Sequence, residues 1–316
     1  MTPGRRRHAS RGPAACCRRC RLRQSAASWT AVRFGMLRGS EMAGVVLVTG
    51  GSGFVGRQVL NALAARGCRV RLVVREGGAQ PQLARDAIES VVATPDLFAE
   101  AAPWWAGACR GVDTVVHVAW YAEPGKYLES PKNLDCLIGT LQLAKGAASA
   151  GVRRFVGVGT CFEYDLRAGA LSIDAPLAPL TPYAAAKAAA FLALSRWLPH
   201  NGVQFAWARL FYLYGEHEDA RRLVPYLRAR LAAGEAAELT SGEQIRDFLD
   251  VRAAGQMIAE LALGERRGPV NICSGTPISV RQLAERIADE YGRRDLLRFG
   301  ARPDNAVDPP RVVGIR

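Results

Sequence analysis

Residues 49–56 of the 316-residue chain read Thr-Gly-Gly-Ser-Gly-Phe-Val-Gly, and this stretch decides the fold. The apolar residues 45–48 just before it predict a short β-strand, and residues 57–66 just after it carry apolar side chains at helical spacing. A strand, a glycine-rich turn and a helix in this order are typical of a dinucleotide-binding site. In such a site the N–H groups and the dipole at the helix N-terminus attract the phosphates.

Each glycine of this turn has its own expected role. Gly50 permits the tight turn, Gly53 lets the backbone approach a pyrophosphate, and Gly56 lets the helix pack closely on the strand. Phe54 and Val55, which lie between the last two glycines, are expected to contact the same cofactor. Glycine spacing alone also occurs in turns of other α/β proteins, so a second motif is needed.

Tyr183 and Lys187 supply that second motif. They stand four residues apart at the start of a predicted helix over residues 183–198, so their side chains share one face. Thr160 follows a predicted strand over residues 154–159. A lone Tyr-x-x-x-Lys pair is common, but together with a nucleotide turn and a threonine at a strand end it indicates a catalytic site. The alternative is a buried tyrosine and threonine beside a surface lysine.

Strand and helix patterns alternate along the chain. Further strands are predicted over residues 69–74, 90–93, 113–118, 203–208 and 269–272, and further helices over residues 131–150, 223–233, 251–263 and 280–291. The alternation predicts an α/β fold with a doubly wound parallel sheet (Rossmann fold) and a smaller C-terminal substrate-binding lobe. We assign residues 42–210 to the dinucleotide-binding domain and residues 211–316 mainly to the lobe, with the substrate in the cleft between them.

Most of the positive charge lies at the start of the chain. The formal net charge is +13, but residues 1–41 hold ten arginines and one acid. A nucleic-acid-binding body is therefore not indicated. Residues 1–41 lack apolar periodicity, so we expect a disordered basic tail. Three interpretations are open: a transit peptide, a nucleic-acid-binding arm, or a sequence that is not part of the native protein. We favour the last, with a native start at Met42.

Cysteine usage and hydropathy limit the remaining classes. The eight cysteines follow neither a disulfide framework nor a zinc-ligand spacing, so we expect no metal site and a reducing compartment. No apolar run reaches the roughly 18 residues of a membrane-spanning helix. We therefore expect a cytoplasmic protein that binds neither nucleic acid nor a membrane.

With these motifs the chain resembles the extended short-chain dehydrogenase/reductase family, in its nucleotide-sugar (NAD-dependent epimerase/dehydratase) branch. The resemblance runs from residue 45 to about residue 279. Besides the glycine turn and the Tyr183–Lys187 pair, the matching pieces are Asp96-Leu97, His117-Val118-Ala119, Asn133, Gly139-Thr140, Thr160 with Tyr164, residues 209–215 and residues 246–251. These pieces are specific for the family and much less so for its substrate.

The resemblance implies the chemistry of the site. It gives Tyr183 the acid–base role, in which the phenol exchanges a proton with a sugar hydroxyl or ketone while hydride moves to or from nicotinamide. It places Lys187 on the nicotinamide ribose, and the ammonium should bring the pKa of Tyr183 nearer neutrality. Thr160 should donate a hydrogen bond to the reacting oxygen. Asp96 and Leu97 resemble the pair that contacts adenine.

The residues after Thr160 argue against dehydration. Dehydratases of this branch carry acids at the two positions directly after the catalytic Ser or Thr, and here those positions hold Cys161 and Phe162. Glu163 lies one position further on, where its side chain should point elsewhere if the stretch is extended. Our leading hypothesis is therefore 4-keto reduction of a nucleotide-diphosphate sugar. The alternatives are C4 epimerisation with recycled nicotinamide, or a non-catalytic NAD(P)-binding regulatory protein.

Arginines supply the remaining site predictions. Arg75, at the end of the second strand, favours NADP(H) through the 2′-phosphate, unless Glu76 binds the ribose of NAD instead. The family uses an arginine near Arg246 against the substrate diphosphate; the alternative is a surface ion pair with Asp247. Arg302 matches a second diphosphate-contacting arginine of the family. We further expect a homodimer.

Overall fold

The glycine turn joins a buried strand to a helix, as the sequence predicts. The computed structural model describes residues 44–78, 81, 83, 85–305 and 308–316. β1 (Val45–Thr49) leads into the turn and α1 (Phe54–Ala64) leaves it. The basic tail over residues 1–41 and the start at Met42 lie outside the described residues, so both stay predictions.

Seven parallel strands form the main sheet. They are β1, β2 (Arg69–Arg75), β3 (Ile88–Thr94), β4 (Thr114–His117), β5 (Arg154–Thr160), β7 (Gln204–Leu210) and β11 (Gly268–Ile272). Their spatial order is β11-β7-β5-β4-β1-β2-β3. The order changes direction between β1 and β4, and ligands of such sheets bind beside this switch point, at the carboxyl ends of the strands. The predicted doubly wound Rossmann sheet is confirmed.

Helices cover both faces of this sheet. The helices of the chain are α1, α2 (Ala102–Ala108), α3 (Lys132–Ser149), α4 (Pro182–His200), α5 (Leu223–Ala232), α6 (Val251–Leu263) and α7 (Val280–Tyr291). On one face α1 and α6 pack together over a core that contains Val48 and Ile258. On the other face α2, α3 and α4 pack over a core that contains Phe155 and Trp207. The sheet is therefore buried on both sides, as expected for parallel strands.

A second, mixed sheet is built mainly by the C-terminal third of the chain. Its strands are β6 (Ala170–Leu171), β8 (Tyr212–Tyr214), β10 (Ile245–Asp250), β12 (Pro277–Ser279) and β14 (Arg311–Gly314). They run in the order β12-β10-β14-β6, and β8 also pairs with β10. β9 (Ala237–Glu238) and β13 (Leu297–Arg298) form a separate pair. The helices α5 and α7 pack together around Leu227 and Ile287.

The chain returns to the main sheet before it ends. There α6 packs on α1, and β11 pairs with β7 at the edge of the sheet. Gly255 allows the close approach of the two helices, because a Cβ there would lie 2.6 Å from the backbone carbonyl carbon of Gln58. The sequence placed α6 and β11 in the C-terminal lobe, but β11 is a strand of the Rossmann sheet and α6 is one of the helices that cover it. The rest of the predicted division at residue 210 stays a prediction.

Three further properties concern the part of the chain that the structure describes. Its five cysteines are free and buried. None of its helices is both long enough and apolar enough to span a bilayer. Within the same residues, no group of three or more His, Cys, Asp or Glu side chains is arranged to hold a metal ion. The homodimer and the cytoplasmic location stay predictions.

Candidate active site

The glycine turn leaves one side of its backbone open. Gly50 has a φ of +73°, and a Cβ on it would lie 2.6 Å from the backbone nitrogen of Ala119. A Cβ on Gly56 would lie 2.0 Å from the carbonyl oxygen of Gly50. At Gly53 the nearest atom is that same oxygen, at 3.3 Å. The protein's own packing thus requires glycine at positions 50 and 56, whereas at Gly53 the backbone is open to an approaching ligand.

The first turn of α1 has no side-chain cap. Gly53 is its N-cap residue, and no described side chain hydrogen-bonds to this end of the helix. The free N–H groups and the dipole can therefore act on a phosphate, with Phe54 and Val55 half-buried beside them. Arg57 brings a cation to the same turn, where its Nε donates to the carbonyl oxygen of Ser52 at 2.9 Å. Sequence reasoning did not single out Arg57, although this residue directly follows the glycine motif.

The ends of β2 and β3 carry the other predicted cofactor residues. Arg75 and Glu76 are both exposed where β2 ends. Asp96 lies just beyond β3, and its Oδ1 accepts a hydrogen bond from the Phe98 N–H at 3.0 Å. Leu97 is half-buried next to it. Because β2 and β3 follow β1 in the sheet, all of these residues lie at the same carboxyl edge as the glycine turn.

The start of α4 sets the positions of Tyr183 and Lys187. Thr181 caps the helix, since its Oγ1 accepts from a backbone N–H of the first turn at 3.2 Å, and Pro182 takes the first helical position. Tyr183 and Lys187 then follow on one face, and Lys187 is only 3% exposed. Thr160, also buried, ends β5 close enough to the phenol of Tyr183 to lower its pKa. The structure therefore brings the three predicted residues together.

Lys187 is held in a place that excludes water. Its Nζ donates to the carbonyl oxygen of Val158 at 2.6 Å and lies 3.8 Å from the centre of the Trp120 ring. Burial penalises the ammonium and lowers the pKa of Lys187 to about 7. The lysine is thus partly charged at neutral pH, and the alternative of a surface lysine is wrong.

The surroundings of Tyr183 keep its phenol protonated. Burial is the largest cause that raises the pKa of Tyr183; the neighbouring Tyr127 adds to the rise, and the side chain of Thr160 opposes it. Lys187 is not among the main causes. The expectation that Lys187 brings the pKa of Tyr183 nearer neutrality is therefore wrong for this structure. The lysine directs its ammonium to a backbone carbonyl and an indole ring, and it is itself only partly charged.

A 3₁₀ turn over Cys161–Glu163 follows Thr160 and directs Glu163 into the core. The Glu163 carboxylate is fully buried and accepts from the backbone N–H of Thr160 at 2.8 Å. It also accepts from Arg209 Nε at 2.8 Å and from Trp207 Nε1 at 2.9 Å. The sequence-based expectation for this side chain assumed an extended stretch; the stretch is a 3₁₀ turn instead, and it is this turn that takes Glu163 into the core.

Arg209 extends the network around Glu163. Its Nη1 donates to the hydroxyl of Tyr164 at 2.9 Å, and that hydroxyl donates to Asn271 Oδ1 at 2.7 Å. These bonds tie the end of β5 to β7 and β11, beneath Thr160. Sequence reasoning named Arg209 and Tyr164 only as pieces of family motifs. It missed the ion pair with Glu163, whose two partners are 46 residues apart in the chain.

His117 has a structural role in this site. Its Nδ1 lies 2.8 Å from Thr49 Oγ1, and its Nε2 lies 2.9 Å from Thr140 Oγ1. Burial first, and then the charge of Lys187, lowers the pKa of His117 to about 3. The imidazole is therefore neutral at physiological pH, where it ties β1 and β4 to α3.

Arg246 is a buried residue. Its Nη2 lies 2.6 Å from Asp308 Oδ2, and its guanidinium lies 5.3 Å from the centre of the Tyr212 ring. Apart from this carboxylate, Nη2 has no acceptor among the described residues. Asp247 faces a different partner, since its Oδ1 accepts from the N–H and the hydroxyl of Ser274. The alternative of a surface ion pair between Arg246 and Asp247 is therefore wrong.

Arg302 has other partners than Arg246. It is exposed, its Nη2 donates to the Tyr226 hydroxyl at 3.2 Å, and its Nε lies 3.9 Å from Glu238 Oε2. Among the described residues the two arginines share no partner. No described contact thus links the two predicted diphosphate arginines, and the role of Arg302 stays a prediction.

Tyr127 is a site residue that sequence reasoning missed. Its ring meets the Tyr183 ring edge-on, with 4.8 Å between the ring centroids and an interplanar angle of 87°. The guanidinium of Arg222, at the start of α5, lies 5.7 Å from the centre of the Tyr127 ring. Tyr127 lies in the loop between β4 and α3, where no motif or periodic pattern marks it.

The sheet, the uncapped glycine turn and the Tyr-Lys-Thr group together form a Rossmann-fold site of the kind that is typical of dinucleotide binding. The model of the NAD dependent epimerase/dehydratase family matches residues 46–273. The chain belongs to this family, and it is an enzyme of this family.

Relatives in this family differ in the reaction for which they are named. The dTDP-6-deoxy-L-talose 4-dehydrogenase (NAD(+)) of Aggregatibacter actinomycetemcomitans is 24% identical over 275 residues, which are 86% of this chain and 99% of that protein. The dTDP-glucose 4,6-dehydratase of Streptomyces niveus is 27% identical over 267 residues, which are 78% of this chain and 77% of that protein.

A solved structure supports the fold. The UDP-N-acetylglucosamine 4-epimerase of Methanobrevibacter ruminantium, in complex with UDP-N-acetylmuramic acid, matches with a TM-score of 0.73 and 21% identity. The match covers 86% of this chain and 89% of that one. At this identity the likeness shows the fold alone.

Proposed function

We propose that this enzyme reduces the 4-keto group of a nucleotide-diphosphate sugar with NADPH. One observation carries the proposal: Thr160, Tyr183 and Lys187 converge at the carboxyl end of β5, while Cys161 and Phe162 fill the two positions after Thr160. The Cys161 thiol is buried, which raises its pKa, and phenylalanine has no proton to give. Such a site lacks the acid that elimination of water requires, but it retains what hydride and proton transfer require.

Tyr183 is suited to give a proton. Because burial raises its pKa, the phenol is protonated at neutral pH and can protonate a ketone oxygen as that oxygen gains negative charge. Thr160 can donate a second hydrogen bond to the same oxygen. Bound nicotinamide supplies the hydride. Lys187 gives one Nζ donor to Val158, so its remaining donors can hold the ribose hydroxyls.

The residues around the glycine turn fit a dinucleotide. The open backbone at Gly53 and the free N–H groups of α1 suit a pyrophosphate, and Arg57 adds a positive charge. Asp96 would hold the adenine amino group with the carboxylate oxygen that its own turn does not use, and Leu97 would pack on the ring. Asp96 and Leu97 lie at the same carboxyl edge of the sheet as the glycine turn.

The choice between NADP and NAD depends on two adjacent side chains. Arg75 would pair with the 2′-phosphate of NADP(H), and Glu76 would bind the ribose hydroxyl of NAD(H). Both are exposed at the end of β2. The Aggregatibacter relative is named for NAD(+), which supports Glu76. We retain NADP(H), because Arg75 is the residue that ends the strand.

The substrate class rests on the relatives and on Arg246. The two sequence relatives are named for dTDP-linked sugars, and a 4-dehydrogenase runs the reverse of a 4-keto reduction. Arg246 has a buried Nη2 that only the Asp308 carboxylate contacts among the described residues, and a diphosphate oxygen would supply a further acceptor. Arg302 gives one N–H to the hydroxyl of Tyr226, and its other N–H donors could add a second contact.

Consumption of reduced cofactor tests the proposal. A dTDP-4-keto-6-deoxy sugar mixed with NADPH should cause a loss of reduced-nicotinamide absorbance that matches the sugar converted. Tyr183→Phe should abolish turnover and leave dinucleotide binding nearly intact, because only the proton donor is lost. Tyr291→Phe, which removes a phenol at the end of α7, is the matched control.

Each other outcome identifies an alternative. Interconversion of C4 epimers without net loss of NADPH would support the epimerase. Dinucleotide binding without turnover on any keto sugar would support the regulatory protein. Comparable turnover in Tyr183→Phe and the parent would exclude Tyr183 from the mechanism.

A further inference from the structure

Trp120 lies directly against Lys187, and none of the roles assigned above uses it. The Lys187 Nζ is 3.8 Å from the centre of the Trp120 ring, well inside the roughly 6 Å that defines a cation–π contact. The same ring meets the Tyr183 ring edge-on, with 6.4 Å between centroids and an interplanar angle of 81°. Trp120 therefore touches both members of the Tyr183–Lys187 pair.

Hydrogen bonds through the indole N–H fix the orientation of the Trp120 ring. Its Nε1 donates to Asn133 Oδ1 at 2.9 Å, and Asn133 is buried. The Asn133 amide nitrogen donates in turn to the carbonyl oxygens of Tyr127 and Ser130, at 2.7 Å and 2.9 Å. This chain of bonds holds the indole N–H away from the lysine and presents the ring face to it.

Lys187 has few other groups to attract its charge. Its Nζ makes one hydrogen bond, to the Val158 carbonyl, and no carboxylate among the described residues pairs with it. Glu163 acts on the lysine only from a distance, and its oxygens are taken by Arg209 and other donors. A second indole, that of Trp207, lies 6.0 Å from the ammonium, at the limit of a cation–π contact, and its N–H is bound to Glu163. Besides one carbonyl oxygen, the π-face of Trp120 at 3.8 Å is thus the nearer group that carries negative partial charge.

We propose that Trp120 is a positioning residue for Lys187, with an indole face that attracts the ammonium and fixes its direction at the start of α4. The catalytic meaning of this contact rests on the function proposed above, but the contact can be measured without turnover. A ring that attracts a cation stabilises the charged lysine, whereas a ring that only excludes water destabilises it. Removing the ring should therefore lower the pKa of Lys187 in the first case and raise it in the second.

The chain is well suited to this measurement because it contains only four lysines: Lys126, Lys132, Lys145 and Lys187. Protein labelled with carbon-13 at lysine Cε gives one resonance for each, and the shift of each resonance follows the protonation of its amine. The other three lysines are exposed and serve as internal references. Replacing them one at a time by arginine assigns the spectrum.

Trp120→Leu removes the π-face and keeps an apolar side chain. We expect the titration midpoint of Lys187 to fall by roughly one pH unit, since a cation–π contact corresponds to about 0.4–1.5 units. Trp120→Phe keeps a weaker face and should restore part of the shift. Trp197→Leu replaces an exposed tryptophan on α4, the helix that carries Lys187, and should leave the midpoint unchanged.

An unchanged or raised midpoint in Trp120→Leu would overturn the proposal. Thermal unfolding checks that each variant is folded. If Trp120→Leu does not fold, Trp120→Phe decides by the same sign, with a smaller fall supporting the proposal and no fall overturning it. The titration needs neither substrate nor cofactor, so its failure leaves the Tyr183→Phe test of the proposed function untouched.

Discussion

Glu163→Ala would remove a buried charge from three donors. The Glu163 carboxylate is fully buried and accepts from Arg209, from Trp207 and from the backbone N–H of Thr160. Without it, the Arg209 guanidinium would remain 1% exposed and without a counter-ion. The variant should therefore have a lower free energy of unfolding. We expect no direct effect on the proton transfer by Tyr183.

The charged pair sets the magnitude of this loss. Removing one partner of a buried ion pair costs about 3–5 kcal/mol, because the other charge stays buried and uncompensated. Leaving the N–H groups of Trp207 and Thr160 unpaired adds about 1–3 kcal/mol each when counted alone. These costs overlap, since all the donors surround one carboxylate, so we expect a total loss of about 3–5 kcal/mol. A protein with about 5–15 kcal/mol of stability would become marginal.

Urea unfolding followed by tryptophan fluorescence measures this loss. Glu163→Gln keeps an acceptor of the same shape but not the charge, so it should fall between the parent and Glu163→Ala. Asp165→Ala is the matched control, because it breaks an arginine pair two residues away whose Arg167 is 87% exposed, and it should lose far less stability. A loss in Glu163→Ala as small as in Asp165→Ala would refute the reasoning. So would a Glu163→Gln variant that keeps full stability but loses turnover, since that result would make Glu163 catalytic.

Three further predictions concern the cofactor, the pH dependence and the tail. Arg75→Ala should weaken NADPH binding by about tenfold to a hundredfold and leave NADH binding nearly unchanged, as titration of both cofactors would show; a parent that prefers NADH would assign the ribose to Glu76. The free energy of unfolding should fall as the pH drops from 6.5 to about 3, because unfolded His117 takes up a proton that the folded imidazole refuses; His117→Gln should flatten this dependence in urea titrations. A chain that begins at Met42 should fold and turn over like the full chain, and loss of solubility or activity would show that residues 1–41 have a role.

The order of strands and helices could be predicted because each element carries its own period. The helices predicted over residues 251–263 and 280–291 match α6 and α7 to the residue. The helix predicted over residues 183–198 began one residue late, since Thr181 caps α4 and Pro182 already occupies its first position. Hydrophobic period does not say which part of the fold an element packs in, which is why α6 and β11 were assigned to the C-terminal lobe and not to the Rossmann sheet and its helices.

The residue types of the candidate site could be predicted from motifs, but their partners could not. The Tyr183–Lys187 spacing and the strand end at Thr160 depend only on neighbouring residues in the chain, so both could be predicted from the sequence. Contacts across the fold depend on how distant segments meet: Lys187 faces an indole ring, and Arg246 pairs with Asp308 instead of with its neighbour in the chain. The same holds for the pKa of Tyr183, which burial dominates and which no spacing in the sequence reports.

The crossing of α1 and α6 determines how far apart the two ends of the candidate cleft stand. Arg246 lies on β10, and Asp250 ends that strand and caps α6 by accepting from the Arg252 N–H at 2.7 Å. Four residues into that helix, Gly255 meets the backbone of α1 at Gln58, and α1 follows directly on the glycine turn. The separation between Arg246 and the glycine turn thus depends on β10, on the Asp250 cap and on the contact of Gly255 with α1. Any side chain larger than hydrogen at position 255 would wedge the two helices apart and increase that separation, without altering a single residue that lines the cleft.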